Sequence, residues 1–169
     1  IESIFTDITP NLTHIFTENY ASIYLEDDNI WFGSLDFIEP ERGYWLRVEN
    51  PDSLELITYE SPSDLIYNLH YGNNLISYIG DNNASIEDAI PDEVEDYFTN
   101  IFTENLSATK IDGVWVGTLA IQGLEHLKGY WMNVSQDLSF SYNSSGELMR
   151  SYNNNVISDY SIQSIPIDF

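Results

Sequence analysis

The chain has 169 residues, 43% hydrophobic and 14% aromatic, which is room for one ordinary domain or two small ones with a real core, and too aromatic for a disordered acidic tail. Five Lys+Arg stand against 28 Asp+Glu, a formal net charge of −23, and such a field repels nucleic-acid phosphate and anionic membrane surfaces while attracting cations and basic partners. Nucleic acid is excluded as a partner; the lack of cysteine excludes disulfides and thiolate chemistry; and no apolar run approaches the roughly 18 residues of a membrane span, so no membrane insertion is expected.

The chain opens at Ile1 without a basic region followed by an apolar stretch, so no signal peptide is expected in it, and either a leader was removed or the chain is a piece of something longer. Ile1 to Thr9 lacks strong helix formers and ends at Pro10. Ile15-Phe16-Thr17-Glu18-Asn19 then begins a series that returns one half-chain later as Ile101-Phe102-Thr103-Glu104-Asn105. Ile30-Trp31-Phe32-Gly33-Ser34-Leu35 returns as Val114-Trp115-Val116-Gly117-Thr118-Leu119, and Gly43-Tyr44-Trp45-Leu46-Arg47-Val48 as Gly129-Tyr130-Trp131-Met132-Asn133-Val134. The protein is built twice, and every tryptophan has its counterpart.

The second copy defines the unit. Leu75-Ile76-Ser77-Tyr78-Ile79 reads as a strand closed by the turn residues Gly80-Asp81-Asn82-Asn83. Ser85 caps a helix with Asp88 at the capping-box position, and Pro91 divides it into Ser85 to Ile90 and Glu93 to Asn100. Val94, Tyr97, Phe98 and Ile101 give the second piece a helical apolar face. Three or four strands follow: imperfect alternation from Phe102 to Ile111, the hairpin signal Asp112-Gly113 before Val114-Trp115-Val116, the strand Gly129 to Val134, and Leu138 to Tyr142, with Gly117 to Gly123 ambiguous. The first copy keeps this order with a two-residue insertion near Asp27-Asp28, but its helix is degraded and nothing corresponds to the opening strand. Tyr152-Asn153-Asn154-Asn155-Val156-Ile157-Ser158 resembles that opening strand, Tyr71-Gly72-Asn73-Asn74-Leu75-Ile76-Ser77.

The expected fold is therefore mainly β (α+β): two tandem units, each a small antiparallel sheet or sandwich with one short helical crossover. Residues 1–60 form the first unit, 61–145 the second, and 146–169 a C-terminal segment that completes the first unit or a neighbouring subunit. Asn155, Val156, Ile157 and Ser158 are the candidate assembly strand, since donating a strand to an open sheet edge is a route to assembly.

In the Gly-Tyr-Trp strands alternation places Tyr44, Leu46 and Val48 towards the core and Trp45 and Arg47 on the other face, with Trp131 and Asn133 matching them. A half-exposed Trp beside a polar residue suits stacking on a sugar ring or anchoring a protein partner, and equally suits packing under a loop. Arg42 and Lys128 share one slot, each following an acid, Glu39 or Glu125, so a surface ion pair or a contact to a ligand anion fits them. Trp45, Trp131, Arg42 and Lys128 are the candidate binding residues. No cofactor is expected; calcium is the one ion that clusters such as Glu26-Asp27-Asp28-Asn29 and Asp92-Glu93-Glu95-Asp96 would attract, and none has EF-hand spacing. No catalytic residues emerge: His14, His70 and His126 are scattered, and nothing marks an acid–base pair among the carboxylates.

The succession Gly-x-Asn-Leu-Ile-Ser-Tyr, Ser-Ile-Glu-Asp-Ala-Ile, Trp-x-Gly-Ser/Thr-Leu, Gly-Tyr-Trp-x-x-Val resembles a small β-rich module that recurs in large secreted and surface proteins of bacteria and in virion proteins of marine phages. The resemblance covers residues 73–142 well and 11–59 less well. This chain has Asn73 where that module commonly carries Trp. It implies an extracellular, cell-surface or virion structural role and brings no catalytic residues. The expected function is a non-enzymatic structural or adhesive module whose partners are copies of itself or other proteins of its assembly. The alternatives are a carbohydrate-binding module for cell-surface glycan using Trp45 and Trp131 and, more remotely, a glycosidase.

Overall fold

Glu18-Asn19 turns the first hairpin in two residues because Asn19 accepts a left-handed φ of 66°, which a short amide side chain tolerates better than most. In the computed structural model, which describes residues 2–58, 65–143 and 161–167, the chain divides into two compact units, residues 1–60 with 157–169, and residues 61–156. In the first, helix α1 (Glu2–Phe5) and a 3-10 turn (Thr6–Ile8) lead into β1 (Leu12–Thr17), β2 (Tyr20–Leu25), β3 (Ile30–Gly33) and β4 (Trp45–Val48). The sheet order is β3-β2-β1-β4 with every neighbour antiparallel. β5 (Asp52–Thr58) follows.

The β1–β4 ladder slips between Leu12↔Val48 and His14↔Arg47, leaving Thr13 as a bulge. A bulge adds one residue and resets which side chains face inward. Leu12 and Ile15, three apart, are consequently both fully buried, in a core shared with Phe5, Ile8, Leu35 and Leu54.

The second unit runs β6 (Tyr67–Leu69), β7 (Gly72–Ser77), α2 (Ile86–Ala89), α3 (Asp92–Glu95), β8 (Phe98–Thr103), β9 (Leu106–Ile111), β10 (Val114–Val116), α4 (Thr118–Gln122), β11 (Gly129–Val134) and β12 (Leu138–Phe140). Its main sheet is β10-β9-β8-β11-β7, and β12 pairs with β6 separately. Ser85 caps α2: its Oγ accepts from the Asp88 N–H at 3.0 Å and donates to the Asp88 carboxylate at 2.8 Å. The helix expected over Glu93 to Asn100 stops at Glu95, and Phe98 starts a strand instead. The cause is again a bulge, here at Thr99 between Val134↔Phe98 and Asn133↔Asn100. It turns Phe98 and Ile101 inward together, a spacing of three that imitates a helical face. The ambiguous Gly117 to Gly123 stretch is α4, bounded by those two glycines.

β13 (Ser161–Ile167) pairs antiparallel with β5, from Ser161↔Thr58 to Ile167↔Asp52. Residues 157–169 thus group with the first unit, whereas 61–156 form the second. The candidate assembly strand Asn155, Val156, Ile157 and Ser158 lies outside the described residues. Among the described residues no helix is long and apolar enough to cross a membrane.

The second core is rich in tyrosine. Tyr142 meets Tyr78 at 4.9 Å between ring centroids and Tyr67 at 4.9 Å, both edge-on. Burial favours the neutral phenol: it pushes Tyr78 and Tyr130 up to about 12 and Tyr142 well above its ordinary value. A raised folded-state pKa contributes stability that is fully present below the unfolded pKa and is lost as pH rises through the folded one. Between neutral pH and about 10 these phenols are therefore expected to leave the stability of the second unit to urea unchanged, and between about 10 and 12 to weaken it steeply. A midpoint unchanged across that window would show that these phenols are not held neutral by burial.

Candidate functional site

Each Gly-Tyr-Trp strand arrives through a turn that the sequence fixes in the same way twice. The Tyr44 hydroxyl accepts from the Glu39 N–H at 2.8 Å, and Tyr130 accepts from the Glu125 N–H at 2.9 Å. Thr17 Oγ1 donates to the Gly43 carbonyl at 2.7 Å and Thr103 Oγ1 to that of Gly129 at 3.0 Å. Arg42 pairs with Glu39, and Lys128 Nζ lies 2.6 Å from Glu125 Oε2. The hydrogen bond from Lys128 holds the Glu125 carboxyl below its usual range. Arg42 also sits 5.3 Å above the Tyr20 ring. Two of the candidate binding residues, Arg42 and Lys128, are thus engaged in closing the turn.

The other two, Trp45 and Trp131, lie half-buried on the outer face of their sheets. Each stacks on a phenylalanine of the neighbouring strand: Trp45 on Phe16 at 6.3 Å and 13°, Trp131 on Phe102 at 6.2 Å and 16°. No loop covers these platforms completely, since Phe16 is 43% and Phe102 37% exposed. The inward residues Tyr130, Met132 and Val134 are buried.

Beside the platforms the two faces diverge. In the second sheet the row Asn73↔Asn133↔Asn100↔Thr109 crosses four strands. Its polar groups satisfy one another: Asn133 Nδ2 donates to Asn73 Oδ1 at 2.8 Å, Thr99 Oγ1 to Asn133 Oδ1 at 2.7 Å, and Thr109 Oγ1 to Asn100 Oδ1 at 2.8 Å. In the first sheet the same row reads Arg47↔His14↔Ile23↔Phe32. Phe16, Ile23, Ile30 and Phe32 are 43%, 37%, 43% and 65% exposed there. The second sheet also exposes Phe102, Ile111, Val114 and Val116, at 37%, 53%, 59% and 53%, so the faces differ in the Arg47–His14–Ile23 stretch of the row and not in having an apolar edge. A hollow of about 600 Å³ opens beside Arg47, lined by Thr13, His14, Arg47, Val48 and Glu49.

No known family model, characterised protein or solved structure matches this chain.

Arg47 is the residue that the sequence places on the tryptophan face but that is not among the candidate binding residues. Arg42, Lys110 and Lys128 all have carboxylate partners, Lys110 with Glu95 at 3.1 Å and Asp96 at 2.9 Å. Arg47 is exposed and, among the described residues, has none. Its signal was available in the chain: it is the basic residue on the tryptophan face of the strand, at the position where the other copy carries Asn133. Among the acids, Glu95 also accepts from Trp115 Nε1 at 2.8 Å. Among the described residues no group of three or more His, Asp or Glu is placed to hold a metal ion.

Proposed function

We propose that the chain is a non-catalytic structural or adhesive module of an extracellular, cell-surface or virion assembly, working through protein–protein contacts. The observation that carries this reading is the outer face of the first sheet, where Phe16, Ile23, Ile30 and Phe32 stand exposed on the same face as Trp45 and Arg47, which has no carboxylate partner among the described residues. Single exposed apolar residues are ordinary, but a contiguous group marks a contact surface. Aromatic residues and arginine are the usual anchors of such surfaces. In so acidic a chain, Arg47, without a carboxylate partner among the described residues, supplies an element of charge complementarity that another acidic protein surface, including a second copy, could meet. The setting rests on the sequence resemblance.

Sedimentation of the wild-type chain over a concentration series, against Ile23→Ser combined with Phe32→Ser, tests the reading. Both sites are exposed, so the variant is expected to fold normally and to lose the concentration-dependent rise in mass that the wild type shows. A wild type that never associates, or association that ignores both serines, would sink it.

A second reading is favoured by the platforms themselves: a flat Trp–Phe pair kept in both units suits the apolar face of a pyranose ring. It predicts saccharide binding on a glycan array that Trp45→Ala and Trp131→Ala abolish with the fold intact. The first reading predicts none.

A further inference from the structure

The two sheets follow one plan but do not end alike. β11 is paired on both edges, with β8 on one side and, over the six residues Gly129↔Ser77 to Val134↔Gly72, with β7 on the other. β4 is its counterpart by every local criterion: the bulge at the same place in the adjoining strand, the Trp–Phe stack, the tyrosine hydroxyl on the preceding turn. Among the described residues β4 has β1 as its one partner. We infer that the outer edge of β4 accepts an extended strand from a partner polypeptide, in the antiparallel register that β7 takes on β11, with an acidic side chain of the partner opposite Arg47.

An edge strand presents a row of backbone N–H and C=O groups that a passing chain can complete. The second unit shows what belongs there. Across β11 and β7, Asn133 Nδ2 donates to Asn73 Oδ1 at 2.8 Å. Arg47 stands at the Asn133 position, so the incoming residue must again be an acceptor. A guanidinium offers donors only, in a fork that fits a carboxylate better than an amide oxygen. Arg47 has no carboxylate among the described residues, in a chain where every other described cation has one. The core side agrees. Tyr130 and Met132 are 1% and 0% exposed, whereas their counterparts Tyr44 and Leu46 are half-buried. On β7 the following residues Leu75 and Ile76 are both buried. The partner segment therefore carries an acid, a small polar residue and two aliphatics in succession. This inference rests on the proposed protein–protein function and names the chemistry of one of its contacts.

The probe is the blocked peptide Gly-Asp-Asn-Leu-Ile-Ser, compared with Gly-Asn-Asn-Leu-Ile-Ser and with the first peptide N-methylated at alternate residues. It is used free, and also fused through a flexible Gly/Ser linker after Phe169 so that its local concentration stays high. Hydrogen exchange at the alternate amides of β4 that point away from β1 is expected to slow with the acidic peptide and not with the N-methylated one, leaving β11 unchanged. The acidic peptide is expected to bind about fivefold tighter than the amide one, because the hydrogen bond gains charge assistance. Arg47→Gln should erase that preference while keeping the amide peptide's binding. The inference is overturned if neither free nor fused peptide slows exchange, if the N-methylated form does equally well, or if β4 amides in the protein alone are already as protected as those of β11. In the last case the chain fills its own edge. Should the chain associate through Ile23 and Phe32 while β4 ignores the peptide, the strand contact fails and the proposed function stands. Should β4 take the peptide while association ignores those residues, the reverse holds.

Discussion

Gly117→Ala is expected to cost about 3 kcal/mol or more, and to show it as a lower urea midpoint for the second unit. Gly117 has φ 138°, and a Cβ there would lie 2.3 Å from the Ser107 carbonyl oxygen and 3.1 Å from Ala108 Cα. Both are backbone atoms of the neighbouring strand, so nothing can swing aside. Its counterpart Gly33 meets the same obstacle, with a Cβ 2.2 Å from the Ala21 carbonyl oxygen. Gly33→Ala should therefore destabilise the first unit comparably. The glycine returns in both copies because the strand's departure into Leu35 or Leu119 grazes the partner backbone at one point. Gly113→Ala is the control. It also has positive φ, 80°, but nothing within 4 Å of the added carbon, so the strain of about 1–2 kcal/mol is all it should lose. Equal effects at Gly117 and Gly113 would mean that the close approach does not constrain the fold.

Tyr130→Ala is the second large effect, at about 3–5 kcal/mol for emptying a buried aromatic site. Tyr130 is 1% exposed and packs edge-on against Tyr78 at 6.5 Å. Tyr130→Phe isolates the hydroxyl. It should cost about 1 kcal/mol, because the Glu125 N–H loses its acceptor while the ring remains. Tyr44→Ala removes the same side chain from the half-buried position in the first unit and should cost about half as much as Tyr130→Ala. Denaturation followed by far-ultraviolet circular dichroism measures all three. A larger loss at Tyr44 than at Tyr130 would contradict the difference in burial between the two units.

Both substitutions sit in motifs that were legible as repeated letters, and repetition is why the mainly β, antiparallel character of the chain could be read before any coordinates. The hairpins, the Ser85 cap and the inward set Tyr130, Met132 and Val134 follow from turn chemistry and period-two alternation. The bulges were not legible. Thr99 carries no letter that announces an extra residue, and by turning Phe98 and Ile101 inward together it wrote a helical period into a strand. α4 was obscured for a different reason: five residues between two glycines are too few for a helical stripe to show. Pairing across long separations, such as β12 with β6 or β13 with β5, leaves no local signature at all. At the site, Trp45 and Trp131 could be chosen from alternation, whereas their platforms Phe16 and Phe102 could not, because stacking depends on which strand lies alongside. Arg42 and Lys128 drew notice for sharing a slot, which proved to be the slot that closes a turn. Arg47 breaks the repeat instead of keeping it, and the difference between the faces lies in such breaks: Arg47 and Ile23 against Asn133 and Thr109, whereas Phe32 and Val116 are both exposed and apolar.

Hydroxyl-radical footprinting of the intact chain, dilute and concentrated, tests the central claim most directly, since it reads side chains on both outer faces in one sample. Phe16, Phe32 and Trp45 are expected to become protected as association proceeds, while Phe102 and Trp131 keep their dilute reactivity. Equal protection of both Trp–Phe platforms, or none on the first sheet, would contradict the assignment of that face as the protein-contact surface.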